Sequence, residues 1–231
     1  VEHPAVLEAV RRLEESGFEA VYVPVKKDGT LDTDALKSAV NEKTALITVM
    51  SVNNESGVIM PVAEIAAFKD AYNKEHGTGI MFHTDAVQAF GKMKVLKPGV
   101  DMASVSAHKI HGPKGTGALY INKDKHIKPY IVGGGQEKHF RSGTENVPAI
   151  AGFGVAAEKA YASLDARMSH ISEVRAYLLN GIKDQIEDIK INSIEECGRS
   201  GEENLCCPSV LNISFLGTRG EVILHTLEQS G

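Results

Sequence analysis

Apolar runs alternate with amphipathic stretches along the first two thirds of this chain. Pro4 to Ser16 carries Val6, Ala9, Val10 and Leu13 on one helical face. Pro4 suits the first turn of that helix, and Gly17 suits its end. Ala20 to Val25 is a short β-branched run and predicts a strand. Asp32 to Val40 predicts a helix capped by Asp32 or Thr33. Three similar units follow. Thr44 to Val52 is almost wholly apolar and ends in Asn53-Asn54-Glu55; Ile80 to His83 ends in Thr84-Asp85; Met102 to Val105 ends in Ser106-Ala107-His108-Lys109. A helix over roughly Val62 to Glu75 separates the first two, and Ala118 to Asn122 adds a short strand. Continuous apolar strands alternating with helices predict an α/β fold, a mostly parallel sheet flanked by helices.

From Asn146 the pattern changes. Val147 to Ile186 is rich in Ala, Leu, Glu and Lys and predicts long helices broken near Leu164-Asp165. Ser209 to Phe215 alternates as a half-buried strand does, and Glu195 to Leu205 is a polar surface loop. These features predict a large domain over residues 1–149 and part of a smaller α+β domain over residues 150–231. Val1 is not a methionine, and the helix-like stretch Glu221 to Leu227 meets no finishing signal before Gly231. The chain is therefore expected to be a piece lacking both ends of a longer protein.

Composition narrows the function classes. Over 231 residues, 42% hydrophobic and 24% charged content suits a globular protein with a substantial buried core. Twenty-five basic against 30 acidic residues give a net charge of -5, which argues against a broad nucleic-acid or anionic-membrane surface. No apolar run is long enough to span a bilayer, and no signal-peptide pattern opens the chain. The three cysteines, Cys197, Cys206 and Cys207, follow neither a C-x-x-C nor a zinc spacing. They predict buried thiols and a reducing, cytoplasmic setting.

Ligands of open parallel sheets bind beyond the carboxyl ends of the strands. Here three apolar runs deliver polar residues to that end: Asn54, then Asp85 and Gln88, then Ser106, His108 and Lys109. An acid, a lysine, amides and small donors together suit pyridoxal 5'-phosphate (PLP). Its aldehyde forms a Schiff base with a lysine, and its ring nitrogen needs an acid to stay protonated. Its phenolic oxygen and phosphate need donors. Each residue also has a plainer reading: Asp85 as a helix cap, Lys109 as a solvated lysine, Gly133 to Asn146 as a flexible loop. His108 and His111 lack a carboxylate or cysteine to complete a metal site, so no metal is expected. Gly112 to Gly117 lacks the Lys-Ser/Thr ending of a triphosphate loop.

Five segments in order resemble the cysteine desulfurase family, with its selenocysteine lyase relatives, among class V, fold type I PLP enzymes. They are Val1 to Val6, Val52 to Gly57, His83 to Gln88, Ser106 to Lys109, and Gly133 to Glu137 continuing through Arg141 to Asn146. Pro208 to Phe215 and Gly220-Glu221 fit the family's small domain more loosely. The resemblance implies that Lys109 is the Schiff-base lysine and later moves the substrate α-proton. It implies that His3 stacks on the pyridine ring and assists proton transfer. Asp85 would bind the ring nitrogen and Gln88 the phenolic oxygen, with Asn54, rather than Asn53, beside that oxygen. Ser106 and His108 would hold the phosphate. Thr144 would reach the phosphate of a neighbouring subunit, which implies a homodimer. The implied reaction removes sulfur from L-cysteine, giving L-alanine and an enzyme persulfide for an acceptor protein such as an iron–sulfur scaffold. The family's early phosphate motif, its mobile cysteine loop and its carboxylate-binding arginine fall outside this chain, and none of the three cysteines matches the nucleophile. Ser56 stands where Thr is frequent, and Lys138 where Arg is common. The alternatives are a selenocysteine lyase, a class V aminotransferase, and a PLP-free scaffold that keeps only the fold.

Overall fold

The computed structural model describes residues 1–197 and 205–230. Most of the predicted polar loop from Glu195 to Leu205 therefore lies outside the described residues. In chain order the elements are α1 (Pro4–Glu15), α2 (Thr33–Ala39), β1 (Leu46–Thr48), α3 (Val62–His76), β2 (Met81–Asp85), β3 (Met102–Ser106), β4 (Gly117–Ile121), α4 (Val147–Ala162), α5 (Leu164–Gln185), β5 (Ile189–Ile191), β6 (Ile213–Phe215) and α6 (Gly220–Gln229). Short 3-10 turns cover Ala107–Ile110 and Glu137–His139. The chain packs into two compact units, each discontinuous in sequence. The first comprises residues 1–39, 52–61 and 165–231; the second comprises residues 40–51 and 62–164. Among the described residues no helix is long and apolar enough to cross a membrane.

The second unit is built on a sheet of order β1-β2-β3-β4. β1, β2 and β3 run parallel, and β4 returns antiparallel to β3. α3 buries Val62, Ile65, Ala66 and Lys69, the spacing of one helical face, and packs on β2. Phe82 and Thr84 are fully buried, while His83 between them is only half-buried. Asp101 fixes the β2–β3 register: its N–H donates to the Phe82 carbonyl at 3.0 Å, and its Oδ2 accepts the Phe82 N–H at 2.8 Å.

In the first unit, α1 ends as its sequence predicts, with Ser16 at the C-cap and Gly17 at φ 92°. Asp32 Oδ1 accepts the Ala35 N–H at 3.0 Å and so caps α2. Ala20 to Val25 is not a strand. Only an isolated antiparallel bridge joins Val25 to Leu31, and Val21 and Tyr22 are exposed. A β-branched run needs a ladder partner to become a strand, and Pro24 has no N–H to offer one. β5 pairs antiparallel with β6, and the predicted strand from Ser209 contracts to its last three residues.

Arg175 on α5 is the polar centre of this unit. It is 6% exposed, and its guanidinium donates to the carbonyls of Ile194 at 2.6 Å, Glu195 at 2.8 Å and Val210 at 3.4 Å. Burial holds its pKa below the usual arginine range, against the opposing pull of Cys207 and Glu195. Arg175→Ala is expected to lower stability by about 3 kcal/mol, because it strands buried carbonyls. Urea denaturation measures this, and a loss below about 1 kcal/mol would show that those carbonyls find other partners.

The cysteine expectation is corrected here. Cys197 and Cys206 form a disulfide with Cα atoms 5.0 Å apart, and Cys207 alone is a free, buried thiol. The bridge Val58–Cys206 brings residue 206 to the core, where its sulfur joins that of Cys197. Spacing in sequence does not reveal such a meeting. The cysteines therefore lend no support to a reducing compartment.

Candidate functional site

β2 and β3 are adjacent and parallel, so their carboxyl ends open on one edge of the sheet. Asp85 is the last residue of β2, is 8% exposed, and pairs in register with Ser104. Its Oδ1 accepts the Val87 N–H at 3.0 Å. Oδ2 makes no hydrogen bond among the described residues. The backbone beside it is pinned on both sides: the Ser51 N–H donates to the Asp85 carbonyl at 2.8 Å, and the Ala86 N–H to the Ser104 carbonyl at 2.9 Å. The carboxylate is thus held firmly with one oxygen to spare.

Gln88 follows in the turn after β2. Its Oε1 accepts from Lys92 Nζ at 3.1 Å, which leaves its amide N–H groups as donors. Ser106 ends β3 and caps the 3-10 turn, yet its hydroxyl makes no capping bond. His108 and Lys109 lie on that turn and are exposed, while their neighbours Ala107 and Ile110 are buried. The Lys109 amine has neither hydrogen bond nor ion pair among the described residues.

The turn that presents Lys109 is rigid for identifiable reasons. His111 leaves it in the left-handed region at φ 65°, and the Gly112 N–H returns to the Ala107 carbonyl at 2.9 Å. A Cβ on Gly112 would lie 2.9 Å from the Ala107 Cβ, so only glycine fits. Beneath the turn, Ala107, Ile110, Phe153 and Ala160 form a buried cluster with Phe90 and Val105 at its margin. Phe90 meets Phe153 and Tyr161 edge-on, with ring centroids 5.8 and 5.4 Å apart.

Thr144 lies at an exposed position in the glycine-rich loop before α4. That loop is ordered by specific bonds. The Ser142 N–H donates to the Ile131 carbonyl at 3.0 Å, and the Gly143 N–H donates to Gln136 Oε1 at 3.0 Å. His3 and Asn54 belong to the first unit. His3 is the N-cap of α1: its Nδ1 accepts the Ala5 N–H at 3.1 Å, which places the ring proton on Nε2. Asn53 is consumed by its own turn, accepting from Glu55 and Ser56, whereas Asn54 makes no hydrogen bond among the described residues.

The second unit therefore brings Asp85, Gln88, Ser106, His108 and Lys109 to two neighbouring strand ends. It also exposes polar residues to which sequence reasoning assigned no role. His83 bridges β1 and β3, with Nδ1 2.8 Å from Thr48 Oγ1 and Nε2 2.9 Å from Ser104 Oγ. Burial lowers its pKa, opposed by the charge of Asp85. Lys69 and Asp101 form a buried pair at 2.9 Å. His83 opens the segment His83 to Gln88, and its alternation with Asp85 is the one sequence signal of a shared face. Nothing in the local pattern distinguishes Lys69 from a solvated lysine.

Comparison with known proteins supplies the context. The profile of the Aminotransferase class-V family matches residues 1–231. A cysteine desulfurase IscS of Dictyoglomus turgidum is 42% identical over 233 residues, covering 100% of this chain and 56% of that protein. The solved structure of a NifS-like protein superposes with a TM-score of 0.89 at 38% identity, over 100% of this chain and 60% of its own. DndA of Streptomyces lividans gives a TM-score of 0.81 at 34% identity, over 99% of this chain and 62% of its own. The chain thus spans little more than half the length of the curated relatives it matches.

Proposed function

This chain belongs to the class-V aminotransferase family, and from that premise we propose that the protein is a PLP-dependent cysteine desulfurase. It would convert L-cysteine to L-alanine and pass the sulfur, as an enzyme persulfide, to an acceptor protein such as an iron–sulfur scaffold. The observation that carries the reading is Asp85: a buried carboxylate with one unpartnered oxygen, on the strand next to the one that leads to Lys109. An orphaned carboxylate oxygen fits a protonated ring nitrogen. The free N–H groups of Gln88 fit a phenolic oxygen, the uncommitted hydroxyl of Ser106 fits a phosphate, and the unpaired amine of Lys109 fits an aldehyde. The residues present therefore fit PLP.

When bound, PLP supplies a ring that accepts the electrons released at the substrate α-carbon. Asp85 keeps the proton on the ring nitrogen, since a carboxylate beside a cation favours the charged form of both. Gln88 would donate to the phenolic oxygen, and Ser106 and His108 would hold the phosphate; a place for Asn54 beside that oxygen is assigned by the family resemblance alone. Lys109 would hold the cofactor through its aldehyde and would serve as the acid–base group for the α-proton. The family resemblance assigns ring stacking to His3. It also gives Thr144 the phosphate of a partner subunit, and hence a homodimer. Residues 1–149 form the cofactor-binding part and residues 150–231 a smaller one; this division concerns roles, not packing.

The test is an assay of the full-length protein with PLP, reductant and L-cysteine. Equimolar alanine and sulfide are expected. Exclusive activity on selenocysteine would make the protein a lyase for that substrate. Amino transfer to a keto acid without sulfide would make it an aminotransferase. A protein that takes up no PLP would be a scaffold.

A further inference from the structure

The row of side chains Thr48, His83 and Ser104 crosses three strands on one face of the sheet. Thr48 pairs in register with His83, and Asp85 with Ser104, so the imidazole lies diagonally over β2. Both ring nitrogens are engaged, Nδ1 by Thr48 Oγ1 at 2.8 Å and Nε2 by Ser104 Oγ at 2.9 Å. Side chains alternate along a strand, so His83 and Asp85 share a face, as do Ser104 and Ser106. His83 therefore sits one step, about 7 Å, behind Asp85 on β2, and Ser104, level with Asp85 across the ladder, sits the same step behind Ser106 on β3. Asp85 and Ser106 are the two strand-end residues assigned to the ring nitrogen and the phosphate.

We propose that His83 is a positioning residue for Asp85, an inference that rests on the PLP reading above. Its imidazole ties β1 to β3 through β2, so the ends of the strands keep a fixed spacing. The tie works through hydroxyls, which donate or accept as the neutral ring requires. Burial favours that neutral ring. A neutral link matters at this place: a charged imidazole one step behind Asp85 would draw on the same carboxylate that must hold the ring proton. Both nitrogens of His83 are taken by hydroxyls, so its effect would reach the chemistry through the carboxylate in front of it. The opposite face carries a simpler contact, Ser51 Oγ to Thr84 Oγ1 at 2.7 Å, which joins β2 to the segment after β1 and does not reach β3.

The experiment compares full-length His83→Phe and His83→Gln with the wild type. It measures the dissociation constant for PLP, the visible absorption band of the bound cofactor, and the melting curve of each protein. His83→Phe should bind PLP at least about tenfold more weakly. Its band should move to shorter wavelength, because a displaced Asp85 holds the ring proton less well. His83→Gln keeps one donor and one acceptor and should recover part of both effects. Should His83→Phe fail to fold, the pair Thr48→Val and Ser104→Ala carries the test. It removes both hydroxyl partners with little change of shape, and a weaker shift of the same sign is expected. Wild-type affinity and an unmoved band in a folded variant would overturn the proposal. A wild-type protein that binds no PLP overturns the functional reading itself, and this inference with it.

Discussion

Lys109→Ala is expected to lower the rate of alanine formation at least about a thousandfold while leaving the melting curve unchanged. Two functions go together in this variant. The first is the amine that binds the cofactor aldehyde, and the second is the base that moves the substrate α-proton. Loss of a positioned acid–base group alone removes about a hundred to ten thousandfold. The fold should not notice. Lys109 is exposed and unpaired, whereas the turn beneath it rests on Ala107, Ile110 and the Gly112 N–H. The assay is steady-state alanine formation by the PLP-loaded protein, read beside its absorption spectrum. Turnover within tenfold of wild type would remove Lys109 from the mechanism.

Lys69→Met is expected to destabilise the protein by about 3–5 kcal/mol, with no cofactor involved. The Lys69 side chain is 1% exposed and that of Asp101 3% exposed, with Nζ to Oδ2 at 2.9 Å. Lys69 also meets Asp70 at 2.7 Å, and Lys125 lies 3.4 Å from Asp101 Oδ1. Without Lys69, a buried carboxylate keeps only the more distant Lys125 and the Phe82 N–H. Adding Asp101→Asn should recover part of the loss, because the stranded charge is then gone. Burial alone would lower the Lys69 pKa, yet its bonds to Asp70 and Asp101 leave it raised. Burial alone would raise that of Asp101, yet Lys69 and the Phe82 N–H leave it lowered.

The signs fix the pH window. The raised lysine contributes stability that is complete below its unfolded pKa of about 10.4 and is lost as pH rises through the folded value. The lowered aspartate contributes above its unfolded pKa of about 3.9 and is lost as pH falls through the folded value. Urea denaturation across pH should show both limbs in the wild type. Lys69→Met should flatten the alkaline limb and shrink the acid one. An unchanged pH dependence would show that the pair contributes nothing.

The strand ends were legible because an apolar run that stops at Asp85 or at Ser106 to Lys109 announces where a parallel sheet opens. The helices were legible from their faces, and the break between α4 and α5 falls at Ser163, beside the predicted Leu164-Asp165. Strand lengths were not. The run from Thr44 to Val52 gives a regular strand only over Leu46–Thr48, although Val49 and Ser51 still donate to β2 before Val52 leaves to bridge Ile59. Ala20 to Val25 has the right residues and no partner. β5 alternates Ile189-Lys190-Ile191, but three residues are too short a run to mark a strand. The buried polar residues were equally hidden. Lys69, Asp101 and Arg175 read as surface, since a charge declares its burial only through a partner far away in sequence. The Cys197–Cys206 bridge was hidden for the same reason.

The first unit is sewn from distant stretches: the Cys207 N–H donates to the Gly57 carbonyl at 2.8 Å, the Ile59 N–H to Leu205 at 2.9 Å, and Asn212 Nδ2 to Glu55 at 3.2 Å. A ribosome delivers Gly57 long before it delivers Cys207. At about 5–20 residues per second, the earlier stretch waits on the order of ten seconds for its mate. During that interval Val58, which ends fully buried, has no finished core to enter. Val58 can therefore reach its buried state only once residues 205–212 have been made, which places completion of this unit late in synthesis.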